Sequence, residues 1–197
     1  MGESALASLD RDGDGFADDI EIGAGSDPDD SASTPLGGAG PASTAALTVT
    51  KLSATLKFTK TAQDKVTVEG TLPVAAAFEP AGAQVAVSVG GIVRTFTLDA
   101  NGRSPTGAVD SFTLTLKRAG GVVQANAAAK FTLKLGKSSL AATLRDEGLA
   151  AALRGRKQPR EVAVRVLFGA ALFESAIPVR FTNTSGKTGT TTVLKVR

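Results

Sequence analysis

Ser111-Phe-Thr-Leu-Thr-Leu-Lys117 and Lys130-Phe-Thr-Leu-Lys-Leu135 alternate apolar and polar side chains residue by residue. Successive side chains of a strand point to opposite faces, so each stretch predicts a strand with one face in a core and the other in water. The same period of two recurs on both sides. Leu52, Ala54, Leu56 and Phe58 alternate with polar residues. Leu47 and Val49 alternate in the opposite phase, which predicts a bulge or bend near Thr50–Lys51. Val66, Val68, Gly70 and Leu72 mark the next strand. Gln84–Val89 and Ile92–Leu98 flank Gly90-Gly91, the pattern of a hairpin with a two-residue turn. Glu161–Phe168 (EVAVRVLF), Leu172–Phe181 and Thr190–Val196 complete the set. Pro178 has no N–H to give a ladder, so it predicts an edge strand or a bulge. Only Ser138–Leu153 departs from the pattern. Its leucines at 140 and 144, then 149 and 153, predict one or two short helical turns punctuated by Gly148, with an Ala-rich strand as the other reading.

The chain is therefore expected to be mainly β, a two-sheet antiparallel β-sandwich of Ig-like type. A weak repeat points the same way: Leu52–Lys57 resembles Phe112–Lys117, and Val85–Gly91 resembles Val162–Gly169. Convergent strand patterning accounts for such matches equally well. At 197 residues the chain has room for one sizeable domain, or a domain plus a short module.

Composition narrows the chemistry. There is no His, Cys, Trp or Tyr. A Ser-His-Asp or Cys-His nucleophile, an imidazole or thiolate metal site and a disulfide are all excluded. Glu69, Glu79, Glu161 and Glu174 are scattered, so no carboxylate pair for hydrolysis is legible, and no enzyme activity is expected. Base-stacking nucleic-acid modules lose their Tyr and Trp, and nucleic acid is not an expected partner. No apolar run approaches the ~20 residues of a membrane-spanning helix, and no membrane insertion is expected. Met1–Asp10 has neither a basic nor an apolar signal-peptide region, so the expectation is either a cytosolic protein or a processed or truncated form of an extracellular one.

Charge divides the chain. Residues 1–45 hold ten acids and one base, Arg11, for a net −9. The other 21 bases and nine acids give +12, so the overall +3 conceals an acidic head on a basic body.

Within that head, Asp10-Arg-Asp-Gly-Asp-Gly-Phe-Ala-Asp-Asp-Ile-Glu21 satisfies a twelve-residue calcium loop. Asp10, Asp12 and Asp14 fill positions 1, 3 and 5, and Gly15 sits where the chain turns. Phe16 offers a backbone carbonyl, Asp18 ligates directly or through water, and Glu21 closes the loop with both oxygens. So many clustered carboxylates repel until a cation relieves them, and this number of hard oxygen donors suits Ca2+ better than magnesium. The flanks differ from an EF-hand. Only nine residues precede Asp10, and Gly23, Gly25 and Pro28 are expected to stop a second helix. Asp10–Asp30 resembles the thrombospondin type 3-like calcium repeats of secreted and surface bacterial proteins, with Gly25-Ser-Asp-Pro28 in place of their Gly-Thr-Asp-Pro segment. The resemblance covers about 25 residues, departs from the family in having one repeat rather than several, and implies calcium binding in an extracellular setting.

The expected organisation is a calcium-loop module at 1–25, a Gly/Ala/Ser/Pro linker arm at 26–45 and a β domain at 46–197. The expected function is structural: a calcium-stabilised subunit of a bacterial surface filament or fibre, joined head to tail through arm or strand contacts. The alternative is an adhesion or carbohydrate-binding module of a larger secreted protein, with glycans as partners. Asn183-Thr-Ser185 matches an N-glycosylation sequon, and Arg154–Arg160 is a basic cluster that reads first as a solvated loop between two elements and otherwise as a contact for nucleic acid, an acidic glycan or the acidic head of another subunit.

Overall fold

The computed structural model describes residues 9–14, 16–35, 43–105, 109–169 and 171–193. Helix α1 (Asp18–Ala24) is followed by β1 (Ser43–Ala46), β2 (Thr48–Lys57), β3 (Asp64–Val74), β4 (Gln84–Val89), β5 (Ile92–Thr97) and β6 (Ser111–Leu114). Then come the small hairpin β7 (Arg118–Ala119) and β8 (Val122–Val123), β9 (Asn126–Ser138), β10 (Gly155–Phe168), β11 (Ala171–Asn183) and β12 (Thr188–Val193). Between β9 and β10 lies one 3-10 turn, Thr143–Arg145, whose buried Leu144 packs into the core.

The chain is mainly β and antiparallel, as the alternation predicts. The hydrogen bonds, however, run through one ten-stranded sheet in the order β5-β4-β10-β11-β12-β2-β3-β9-β6, with β1 added in parallel on β11. The sheet curls until its two ends nearly meet, like a barrel. Arg94 of β5 reaches Asp110 beside β6 at 2.7 Å, and the Phe96 and Phe112 rings stack at 5.9 Å. A continuous, nearly closed sheet stands where two separate Ig-like sheets were expected. Alternate residues from every wall fill the interior, including Leu52, Val68, Leu133, Val164 and Phe181.

Local signals locate the details. The β2–β3 ladder slips between Val49 and Lys51, the bulge that the phase change predicts. Gly90 and Gly91 turn with φ of +54° and +79°, as a primed hairpin requires. Pro178 lies in β11, an interior strand. It falls between the stretch paired with β1 (171–174) and the stretch paired with β12 (179–182), so its missing N–H breaks neither ladder. Buried Asp64 accepts the N–H groups of Lys57, Leu140 and Ala141 at 2.6, 2.7 and 2.9 Å, tying the β2–β3 turn to the segment after β9. Asn183 is fully buried and donates to the carbonyls of Ala150 and Ala151, so the folded chain does not present this sequon to a glycosylating enzyme. Both strands nearest the chain ends, β1 and β12, pair with β11 of their own sheet.

Candidate metal centre

The acidic loop is built by its own aspartates. One oxygen of each turns back to a backbone N–H: Asp10 Oδ1 accepts from Gly13 at 2.8 Å, Asp12 Oδ1 from Asp14 at 3.2 Å and Asp14 Oδ1 from Phe16 at 2.8 Å. Gly13 adopts φ +75°, a conformation other residues reach only with strain. Gly15 lies outside the described residues. The result is a tight coil in which ligand atoms of Asp10, Asp12 and Asp14 all lie within 4.8 Å of one another. This cluster can hold a metal ion.

The remaining oxygens carry more weight. Asp12 Oδ2, Asp14 Oδ2 and Glu21 Oε2 are buried and accept no hydrogen bond. Buried acceptors are almost always satisfied, and an ionised one left bare is costly. Glu21 is 0 % exposed. Burial first, then the charges of Asp14 and Asp12, push its carboxyl up to about 7. Burial likewise raises Asp14, against the N–H of Phe16 that lowers it. These carboxylates lack the positive charge their placement calls for.

Asp18 stands differently. Arg11 engages both of its oxygens, through the backbone N–H at 3.0 Å and Nε at 2.7 Å, and so closes the loop from its rim. Arg11 also reaches Asp29 at 3.0 Å. Of the six expected ligand residues, then, Asp10, Asp12 and Asp14 converge, and Glu21 on α1 stands outside their 4.8 Å cluster but within reach of the charges of Asp14 and Asp12. Asp18 is held by Arg11, and Phe16 contributes a buried ring.

That ring roots the loop. Phe16 and Ile20 pack with Ala86 of β4, Leu167 of β10 and Leu172 of β11, a second small core on the outside of the sheet. Beside it, Asp19 accepts from Ser88 Oγ at 3.0 Å and lies 3.7 Å from Arg165, which also meets Glu174 at 3.2 Å. Glu147, whose carboxyl burial pushes up to about 7, accepts the N–H of Ala163 and lies near Arg165.

The helix corrects one expectation. Gly23 is not a stop. It lies inside α1, where a Cβ would sit 2.3 Å from Val93 Cβ of β5, so glycine is what lets the helix lie on the sheet. Gly25 ends the helix in the left-handed conformation, its N–H bonded back to Glu21 and Ile22. Residues 26–35 are likewise more than a plain linker. Asp27 and Asp30 cap turns by accepting from Asp29 and Ala32, and Thr34 and Pro35 are buried.

Sequence reasoning did not single out Arg165, Asp19, Ser88 or the outer core. The available signal was in Val162–Phe168, where Ala163 and Leu167 put apolar side chains on what alternation assigns to the solvent face.

Comparison of the chain with protein-family models, curated proteins and solved structures returned no match.

Proposed function

We propose that the chain is a calcium-stabilised, non-enzymatic subunit of an extracellular structural assembly, a surface filament or fibre whose copies join head to tail. The observation that carries the calcium assignment is the set of buried, unpartnered oxygens on Asp12, Asp14 and Glu21 in a loop of calcium spacing, where the charges of Asp14 and Asp12 reach Glu21. Calcium here acts as a clamp. It offsets part of the negative charge of the loop whose Phe16 and Ile20 seal the outer face of β4, β10 and β11. The extracellular setting rests on the resemblance to thrombospondin type 3-like repeats. The −9 and +12 division of the chain supports contact between unlike ends of successive copies. Because β1 and β12 pair within their own sheet, the contact is drawn between surfaces and not through lent strands.

A groove of about 530 Å3, lined by Phe58, Lys60 and Arg145 among others, favours a second reading as an adhesion or carbohydrate-binding module. Two measurements on the full chain separate the readings. Calorimetric titration is expected to show calcium binding at roughly 10⁻⁴ to 10⁻³ M, the range of extracellular modules. Electron microscopy is expected to show filaments in calcium and none in chelator. Calcium binding by particles that stay monomeric while capturing glycans would transfer the assignment to the second reading.

A further inference from the structure

The wall opposite the metal loop presents an unusual surface. In the strand order, the module lies over β5, β4, β10 and β11, and the far side of the curl is β2, β3, β9 and β6. Each outward position from Lys51 to Lys57, Lys65 to Thr71, Lys130 to Lys134 and Ser111 to Thr113 is Lys, Thr or Ser, with Glu69 as the one exception. That is five lysines against one glutamate, and the glutamate already pairs with Lys51 at 2.7 Å. Lys65, Lys130 and Lys134 make no ion pair among the described residues. The strand register holds them in a grid: Lys134 lies opposite Thr67, Lys65 opposite Gly136 and Lys130 opposite Thr71.

We propose that this lysine–threonine wall is the docking surface for the acidic loop module of a second copy of the chain. The proposal rests on the head-to-tail reading above and gives it a face. Charge complementarity is the first argument. The acidic head of residues 1–45 keeps a net charge of about −7 after one calcium ion is bound, and Asp10, Asp27, Asp29 and Asp30 are exposed.

Apolar complementarity is the second argument. Leu9 and Ile22 of the module are each 64 % exposed. Leu9 O accepts the Asp18 N–H, and Ile22 stands one helical turn beyond Asp18. The wall offers an exposed Val109 in a shallow depression of about 340 Å3 edged by Lys65, Lys134 and Lys137. The module therefore has exposed apolar side chains among mostly negative charges, and the wall has the exposed Val109 among mostly positive ones.

Geometry is the third argument. The module is docked on the far side of its own sheet, so it meets such a wall on a neighbour. A contact between unlike faces on opposite sides does not close on itself and propagates as a chain. Threonines suit this use, since their short branched side chains lose little freedom on burial and their hydroxyls can donate to carboxylates.

Sedimentation velocity of the full chain in calcium tests the proposal, with the thermal response to calcium measured on the same samples. The wild type is expected to associate with rising concentration, and less so as salt screens the contact. Lys65→Glu with Lys134→Glu is expected to weaken association about a hundredfold while leaving the calcium response unchanged. Adding Asp27→Lys and Asp30→Lys to that variant is expected to restore it. Association unaffected by the lysine reversals would place the contact elsewhere and overturn the proposal, with the calcium reading intact. A wild type that stays monomeric, or that instead binds a soluble anionic polysaccharide through these lysines, would overturn it too. Loss of the calcium response in the wild type would strike the functional reading itself.

Discussion

β10 and β9 are strands of one sheet, yet their outer faces have nothing in common. From Val162 to Phe168 every residue of β10 is buried, whereas β9 alternates buried and open positions from Lys130 to Leu135. The difference lies in what covers them. The acidic-loop module seals the outside of β10 with Phe16 and Ile20, and β9 meets water with lysine and threonine. A strand covered on both faces loses its alternation, and one covered on a single face keeps it. The same comparison explains Arg165. Buried outside the barrel, it needs both Asp19 from the module and Glu174 from the sheet.

The comparison can be broken most severely at its anchor. Phe16→Ala is expected to cost about 3–5 kcal/mol in calcium, since it empties the outer core. Thr132→Ala on the bare wall is expected to change stability by less than about 0.5 kcal/mol. Urea denaturation of the two variants checks the pair, and equal effects would mean the module is not docked.

Glu21→Gln is expected to abolish most of the calcium stabilisation. For the wild type that gain is about 2.7 kcal/mol at a calcium concentration about one hundred times Kd. In chelator the same substitution has the opposite sign. Glu21 and Glu147 have folded pKa values of about 7 against a usual 4.5, so between those limits the folded chain holds protons that the unfolded chain has released. Stability in chelator should therefore fall as pH rises from about 4.5 to 7 and level off above. Glu21→Gln should remove its part of that slope and stabilise the calcium-free chain at pH 8, leaving the parts due to Glu147 and to Asp14, whose carboxyl burial also raises. Thermal melts across pH, with and without calcium, read both effects.

A finer cut is Gly23→Ala. In a free helix this change stabilises by about 1 kcal/mol. Here the new methyl meets Val93, and a loss of about 1–2 kcal/mol is expected by chemical denaturation. A gain would show that α1 stands clear of β5. Smallest of all, Lys65→Glu with Lys134→Glu should leave the melting of the isolated chain nearly unchanged, because neither lysine holds an internal partner among the described residues.

The bare wall was legible in the sequence because its pattern is local. Ser111–Leu114 and Lys130–Leu135 announce their strands and their faces, although the alternation runs on to Lys117 beyond the end of β6, and the Val49 to Lys51 phase change announces a bulge. The cluster of Asp10, Asp12 and Asp14 was legible for the same reason, three near neighbours at alternate positions. Single-sheet closure was not, because Arg94 meeting Asp110 and Phe96 stacking on Phe112 depend on how far the sheet curls. Nor was the docking of the loop. Phe16 reads locally as a loop residue offering a carbonyl, and only contact with Leu167 and Leu172, more than 150 positions away, makes it an anchor. Gly23 reads as a helix breaker until Val93 is known to lie beneath it.

Hydrogen–deuterium exchange of the full chain, in calcium and in chelator, tests most directly whether the ion clamps the module to one wall. Calcium is expected to slow exchange across residues 9–25 and in the covered strands β4 and β10, while β3 and β9 exchange at the same rate in both conditions. Equal exchange at residues 9–25 with and without calcium, or a change spread evenly over both walls, would contradict the account.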